Sequence, residues 1–204
     1  MRRIMREQGL YGIRKPRAFK NRAGASASTL LPNVLNRQFT AMKPNEKWLT
    51  DFTHIRISGG LDIYLAVVLD TFSRKVVGWA VSPKRAGVAL RAIQAAYTAR
   101  KPAAGLLLHS DRGTDYTSQE LHLYATQCGM KQSFSRIGNC WDNAPAESFF
   151  RHCKAELRSL KSVTYQDAYR RIADYIETFY NRERVHSAIN YRTPETCEND
   201  WQQT

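Results

Sequence analysis

Lys47-Trp48-Leu49-Thr50-Asp51-Phe52-Thr53-His54-Ile55-Arg56-Ile57 alternates in character and is rich in β-branched and aromatic side chains, so it predicts a strand. Ser58-Gly59-Gly60 breaks it, and residues 61–69 follow as a nearly continuous apolar run suited to a strand buried on both faces. Asp70-Thr71-Phe72-Ser73 predicts a turn and residues 74–81 a third strand. Connections this short make the three strands an antiparallel meander.

Beyond the meander the period changes. After Pro83, Val88, Leu90, Ala92, Ile93, Ala96 and Tyr97 supply the apolar face of a helix. A short buried strand is expected at residues 106–110, a helix at 118–128 and another strand at 131–135. A long helix opens near Asn143 and runs to about Leu160. A last helix covers residues 165–180, with Tyr165, Ala168, Ile172, Ile176 and Phe179 at helical spacing. The order βββαβαβα predicts an α/β fold, a mixed five-stranded sheet flanked by helices with a helical C-terminal tail.

Charge divides the chain. There are 31 Lys and Arg against 18 acids, a net of +13, which points to a polyanionic partner such as nucleic acid. Residues 1–43 hold ten of the bases and one acid, Glu7, a net of +9. This arm contains Ala23-Gly24-Ala25-Ser26-Ala27-Ser28, which reads as a linker. It is either a solvated basic tail or a DNA-backbone contact, with Arg14, Lys15, Arg17 and Lys20 as candidate phosphate ligands. Residues 44–160 are the expected core domain, and residues 161–204 a helix and tail packed on it. The longest apolar run, residues 63–69, is far short of the roughly 20 residues a membrane span needs, and no secretory signal is visible. The four cysteines form no C-x-x-C pair, which disfavours structural zinc; reduced thiols in a cytoplasmic protein are the expectation.

Three acids stand where strand ends and helix starts converge: Asp51 mid-strand, Asp111 just after a buried strand, and Glu147 in the first turn of the long helix. Each has a plain alternative: an outward strand residue, a turn residue beside Gly113, and a complement to the helix dipole. Gathered together they would repel one another unless hard divalent cations, Mg²⁺ or Mn²⁺, neutralised them, and such ions favour phosphate chemistry.

Residues 112–146, 35 in all, separate Asp111 from Glu147. That spacing resembles the D-D-35-E pattern of integrase-like recombinases. The surrounding words resemble bacterial IS3-family transposases more closely still. Trp48-Leu49-Thr50-Asp51-Phe52-Thr53, residues 109–118 from His109-Ser110-Asp111-Arg112-Gly113, and residues 138–150, including Asn143-Ala144-Pro145-Ala146-Glu147-Ser148, match their three acid motifs. Residues 180–194, Tyr-Asn-Arg-Glu-Arg-Val-His-Ser-Ala-Ile-Asn-Tyr-Arg-Thr-Pro, resemble their C-terminal signature. The resemblance implies an RNase H-like integrase core with Asp51, Asp111 and Glu147 as catalytic, metal-holding carboxylates and two Mg²⁺ or Mn²⁺ ions per site. It also implies in-line attack on phosphodiesters, first by water and then by the freed 3′-OH. The implied partners are double-stranded DNA (element ends and target), further copies of the chain on DNA, and a companion end-recognition protein. No membrane is involved, and the implied location is cytoplasmic, bacterial and nucleoid-associated. Asp115 stands where relatives often carry a neutral residue. Residues 2–14 resemble the tail of an upstream helix-turn-helix segment, as in a truncated or internally started form.

At about 100° per residue, Asn143, Glu147, Arg151, Lys154 and Arg158 share one face of the long helix, so the basic members and Asn143 are candidate DNA contacts. The alternative is an ordinary solvated face. Ala146, Phe150, Cys153, Leu157 and Leu160 form the adjacent apolar stripe. Asp70, Asp115 and Asp142 are read as turn or cap residues, His109 as a packing residue, and Trp48 and Trp79 as core; His186 is open between DNA and core. Trp141, in a loop before the long helix, is the best exception among the tryptophans. The rival functions are an RNase H-like nuclease and a catalytically idle DNA-binding remnant.

Overall fold

The structure is a computed structural model, and it describes Glu7, residues 31–157, residue 160 and residues 163–203. Strands β1 (Lys47–Arg56), β2 (Asp62–Asp70) and β3 (Val76–Ser82) pair antiparallel in chain order. β4 (Leu107–Ser110) and β5 (Lys131–Phe134) add in parallel on the other side of β1, giving the order β3-β2-β1-β4-β5. This is the mixed five-stranded sheet expected from the residue pattern.

The two-residue period of the strands sorts the core into two layers. Leu49, Ile63, Leu65, Val67 and Leu69 face α3 (Ala144–Glu156) and α4 (Tyr165–Asp174), where Ala146, Phe149, Phe150, Cys153 and Ile172 meet them. Trp48, Ala66 and Val68 face α1 (Val88–Arg100) and α2 (Gln119–Gln127), packing with Ala89, Ile93 and Leu121. The run 63–69 is apolar without interruption because both faces of β2 are covered. Each large side chain so buried contributes about 1.5–3 kcal/mol. α1 lies unusually close to β3: a Cβ at Gly78 would collide with the Ala92 carbonyl and the Ala96 methyl.

Three expectations need correction. The last helix does not run unbroken from 165 to 180; α4 gives way to a π-helical stretch, Tyr175–Glu183. The wider turn brings two successive residues, Tyr180 and Asn181, inward. Asn181 then bonds both the N–H and the C=O of Val76, through Oδ1 at 2.9 Å and Nδ2 at 3.0 Å. The long helix ends at Glu156, short of Leu160, because Leu157 leaves helical geometry; Leu160 still reaches the core. Finally, residues 31–43 are not part of a detached arm. Leu35 is 1% exposed in the α3 layer, and Pro32 O accepts from Phe134 N at 3.0 Å. A short C-terminal helix, α5 (Pro194–Gln202), returns to the β2–β3 turn, where the buried Glu198 accepts from Ser73 Oγ at 2.8 Å and meets Arg100.

Candidate active site

The β1–β4 ladder places the first two acids. Its last pair is Leu49 with His109; two residues on, Asp51 lies on the Leu49 face of β1 and Asp111 one residue past the end of β4, near enough for its charge to act on Asp51. That face belongs to the α3 layer, and α3 carries Glu147 in its first turn. α3 begins where it does for two reasons. Pro145 suits the first turn of a helix, having no N–H to satisfy. Asn143 leaves its capping role and donates from Nδ2 to Thr50 O at 3.2 Å, tying the helix start to the strand position beside Asp51.

The electrostatics follow from this convergence. Asp51 Oδ1 accepts from Phe52 N at 2.8 Å. Burial above all, then the charge of Asp111 and that of Glu147, pushes the half-buried Asp51 carboxyl up to about 8; the Phe52 N–H and Lys154 oppose this only partly. Burial also raises Asp111, against the Gly113 N–H at 2.9 Å and the nearby Arg85. Glu147 is raised by burial and held back by Arg151. Lys154 in turn is lowered by desolvation and sustained in part by the charge of Asp51. Arg85 is tethered by Asp115 at 2.7 Å and lies over the Phe52 ring, 5.0 Å from its centroid.

Among the described residues, no group of three or more His, Cys, Asp or Glu side chains is close enough to hold a metal ion. The donor set nevertheless fits a hard divalent cation. The three carboxylates border one rim without being close enough to share an ion, and Asp51 is forced towards protonation by burial and the charges of the other two. The buried Oδ1 of Asn143 has no hydrogen-bond partner. Like charges in such a surround repel, and a cation is what would draw them together.

The other sequence-predicted residues are placed as follows. Asn143 is 4% exposed and faces β1, which removes it from the exposed row of candidate DNA contacts. Arg151 is exposed, bonded to Ser148 Oγ at 2.9 Å, and Lys154 stays on the rim. Arg158, Arg14, Lys15, Arg17 and Lys20 lie outside the described residues. His109 is buried between Ser133 Oγ at 2.8 Å and Ser135 Oγ at 3.1 Å, and burial pushes it down to about 4, so it is a neutral packing residue. His186 packs edge-on against Tyr180 at 4.8 Å. Trp48 is core, Trp79 lies partly buried against it, and Trp141 is 69% exposed.

Sequence reasoning missed Asp142. It is not a simple cap but a wholly buried carboxylate, held well below the usual range first by Arg136 and then by Arg37. Its partners lie up to 109 residues away, so no local pattern marks it. Phe149, at the centre of the aromatic contacts with Phe150 and Tyr180, also went unread, although it is one position from the predicted stripe.

Comparison with known proteins gives the family and the fold. A family model described as an integrase core domain matches residues 41–140, and a second of the same description matches residues 128–194. The chain is 40% identical over 200 residues to the transposase for insertion sequence element IS904 of Lactococcus lactis, covering 96% of this chain and 78% of that protein. It is 38% identical over 169 residues to transposase InsF for insertion sequence IS3A of Escherichia coli, covering 82% of this chain and 58% of the relative. Among solved structures, the HTLV-2 integrase catalytic core in complex with magnesium superposes with a TM-score of 0.54 at 19% identity, over 77% of this chain and 98% of that one. A simian T-cell lymphotropic virus intasome chain gives a TM-score of 0.59 at 16% identity, over 91% of this chain and 61% of that one. At those identities the two structures speak for the fold, which is RNase H-like.

Proposed function

Since the chain belongs to the integrase-core transposases of insertion sequences, IS3-type elements among them, we propose that it breaks and joins DNA strands with Asp51, Asp111 and Glu147 as its catalytic carboxylates. The observation that carries this reading is the convergence of the three acids on one rim, which burdens Asp51 with the charge of both others. Asp51 and Asp111 from adjacent strands and Glu147 from α3 would hold two Mg²⁺ or Mn²⁺ ions. Bound there, the ions would activate the attacking oxygen and stabilise the leaving one.

The chain's own residues do the rest. Asn143 keeps the start of α3 on β1, so Glu147 stays at the level of Asp51. Arg85 favours the ionised form of Asp111. Lys154 and Arg151 continue the rim beyond Glu147 and are placed to meet DNA phosphates. Arg158 and the basic residues Arg14, Lys15, Arg17 and Lys20 extend the proposed contact. Double-stranded element ends and target DNA are the substrates, with several copies of the chain and a companion end-recognition protein assembling on them. A bacterial, cytoplasmic and nucleoid-associated location goes with that substrate; among the described residues no helix is long and apolar enough to cross a membrane.

The test uses the full chain, Mg²⁺ or Mn²⁺, and a labelled element end bearing a free 3′-OH. The expected result is joining of that end to a second DNA, abolished in Asp51→Asn. Cleavage without joining would favour the nuclease, and binding without either would favour the idle remnant.

A further inference from the structure

Asp142 is the most completely satisfied carboxylate among the described residues. Its side chain has no exposed surface, and five donors converge on it. Oδ1 accepts from Arg37 Nε at 2.8 Å and Arg136 at 2.7 Å. Oδ2 accepts from Asn33 Nδ2 at 2.8 Å, Arg136 N at 2.9 Å and Arg136 Nε at 2.8 Å. A buried charge is tolerated only with such partners, and an apolar cluster of the same volume would serve packing as well or better. What the ionic clasp adds is direction, because a bidentate guanidinium fixes the carboxylate in angle as well as distance.

The clasp sits at the hinge of the active site. Asp142 directly precedes Asn143, whose side chain reaches Thr50 O, and one turn later comes Glu147. Arg37 also donates to Asn139 Oδ1 at 3.1 Å, and Asn139 accepts from Trp141 N, so the whole turn into α3 is held. Two of the residues that hold it, Asn33 and Arg37, belong to a strap at 31–37 that also touches the loop of Asp111. Arg112, next to Asp111, donates to Leu31 O at 2.8 Å. Leu35 N donates to Ser133 Oγ at 3.0 Å, the same hydroxyl that bonds the buried His109 on β4.

We infer that Asp142, clasped by Arg136 and Arg37, is a positioning residue for Glu147, and that the strap at 31–37 completes the active site. The inference rests on the reading of Glu147 as an active-site carboxylate. It places residues upstream of the sheet in control of two of the three acids.

Arg37→Ala is the informative variant, since its side chain is 45% exposed and Asn33 and Arg136 still donate to Asp142 without it. Two measurements are made beside wild type on the full chain. In single-turnover strand transfer at saturating DNA, the rate is expected to fall about ten-fold, with the half-saturating DNA concentration within about two-fold and most of the loss recovered in Arg37→Lys. In hydrogen exchange, the backbone amides of residues 143–149 are expected to exchange about ten-fold faster while those of β2 are unchanged. Asp142→Asn, which sets an amide against converging donors, should move both readouts further. An unchanged exchange rate at 143–149 would overturn the inference, as would a loss confined to the half-saturating DNA concentration, which would make Arg37 a DNA contact. A wild-type chain without joining activity would instead remove the function assigned above, and the exchange result would still decide the clasp.

Discussion

Replacing Asp51 with Asn removes a charge that the fold resists while keeping an oxygen to accept from Phe52 N. Burial and the neighbouring carboxylates push Asp51 from 3.8 up to about 8. An acid raised in this way favours the folded state fully below its unfolded value, and that advantage is lost as pH rises through the folded value. At neutral pH the gap between 3.8 and 7 is about three units, each worth about 1.4 kcal/mol. Because the carboxyl is only half-buried, solvent screening reduces the full figure of about 4 to about 2 kcal/mol. In urea denaturation with EDTA, Asp51→Asn should therefore be more stable than wild type by under about 1 kcal/mol near pH 5, about 2 near pH 7 and up to about 3 near pH 8. Saturating Mg²⁺ should close that gap by stabilising wild type alone. Parallel stabilities across the range, or equal stabilisation of both proteins by Mg²⁺, would refute the view that Asp51 is a strained, cation-seeking carboxylate.

Other outcomes follow from the same contacts. Glu147→Gln should leave the melting temperature nearly unchanged and lower strand transfer by at least about a thousand-fold, read in single-turnover assays. Lys154→Ala should reduce the slope of log binding constant against log salt by about one, and an unchanged slope would take Lys154 off the DNA path. Asn181→Ala strips Val76 of two hydrogen bonds and should cost about 2–3 kcal/mol in chemical denaturation. Phe149→Ala opens the α3 layer where Phe150, Tyr175 and Tyr180 meet and should cost about 3–5 kcal/mol.

The meander and the strand-helix alternation were legible because each is written in local period and spacing, and spacing is also what singled out the three acids. β2 announces its two covered faces by an unbroken apolar run, and Asp111 announces its place by following a buried strand. Asp142 could not be read in the same way. An acid before a helix has a sufficient local explanation as a cap, and the Arg37 that buries it sits 105 residues away in a stretch whose composition resembles a tail. Asn143 misled for a related reason: helical spacing put it on the same face as Arg151, but one hydrogen bond to Thr50 turned it inward. The π-helical stretch has no compositional mark at all. It is selected by what Tyr180 and Asn181 find when they reach the sheet.

That last contact has a consequence for how copies of the chain meet. Asn181 occupies both hydrogen-bonding groups of Val76 at one border of the sheet, and Pro32 occupies an amide of β5 at the other. Exposed strand borders invite strand addition, and here each is short or already engaged. At Val76 and at Phe134 the two borders are therefore closed to pairing with a neighbour's strand. A second copy meeting this one at those two points would have to do so through helices and loops, leaving the strand ladder there as it is.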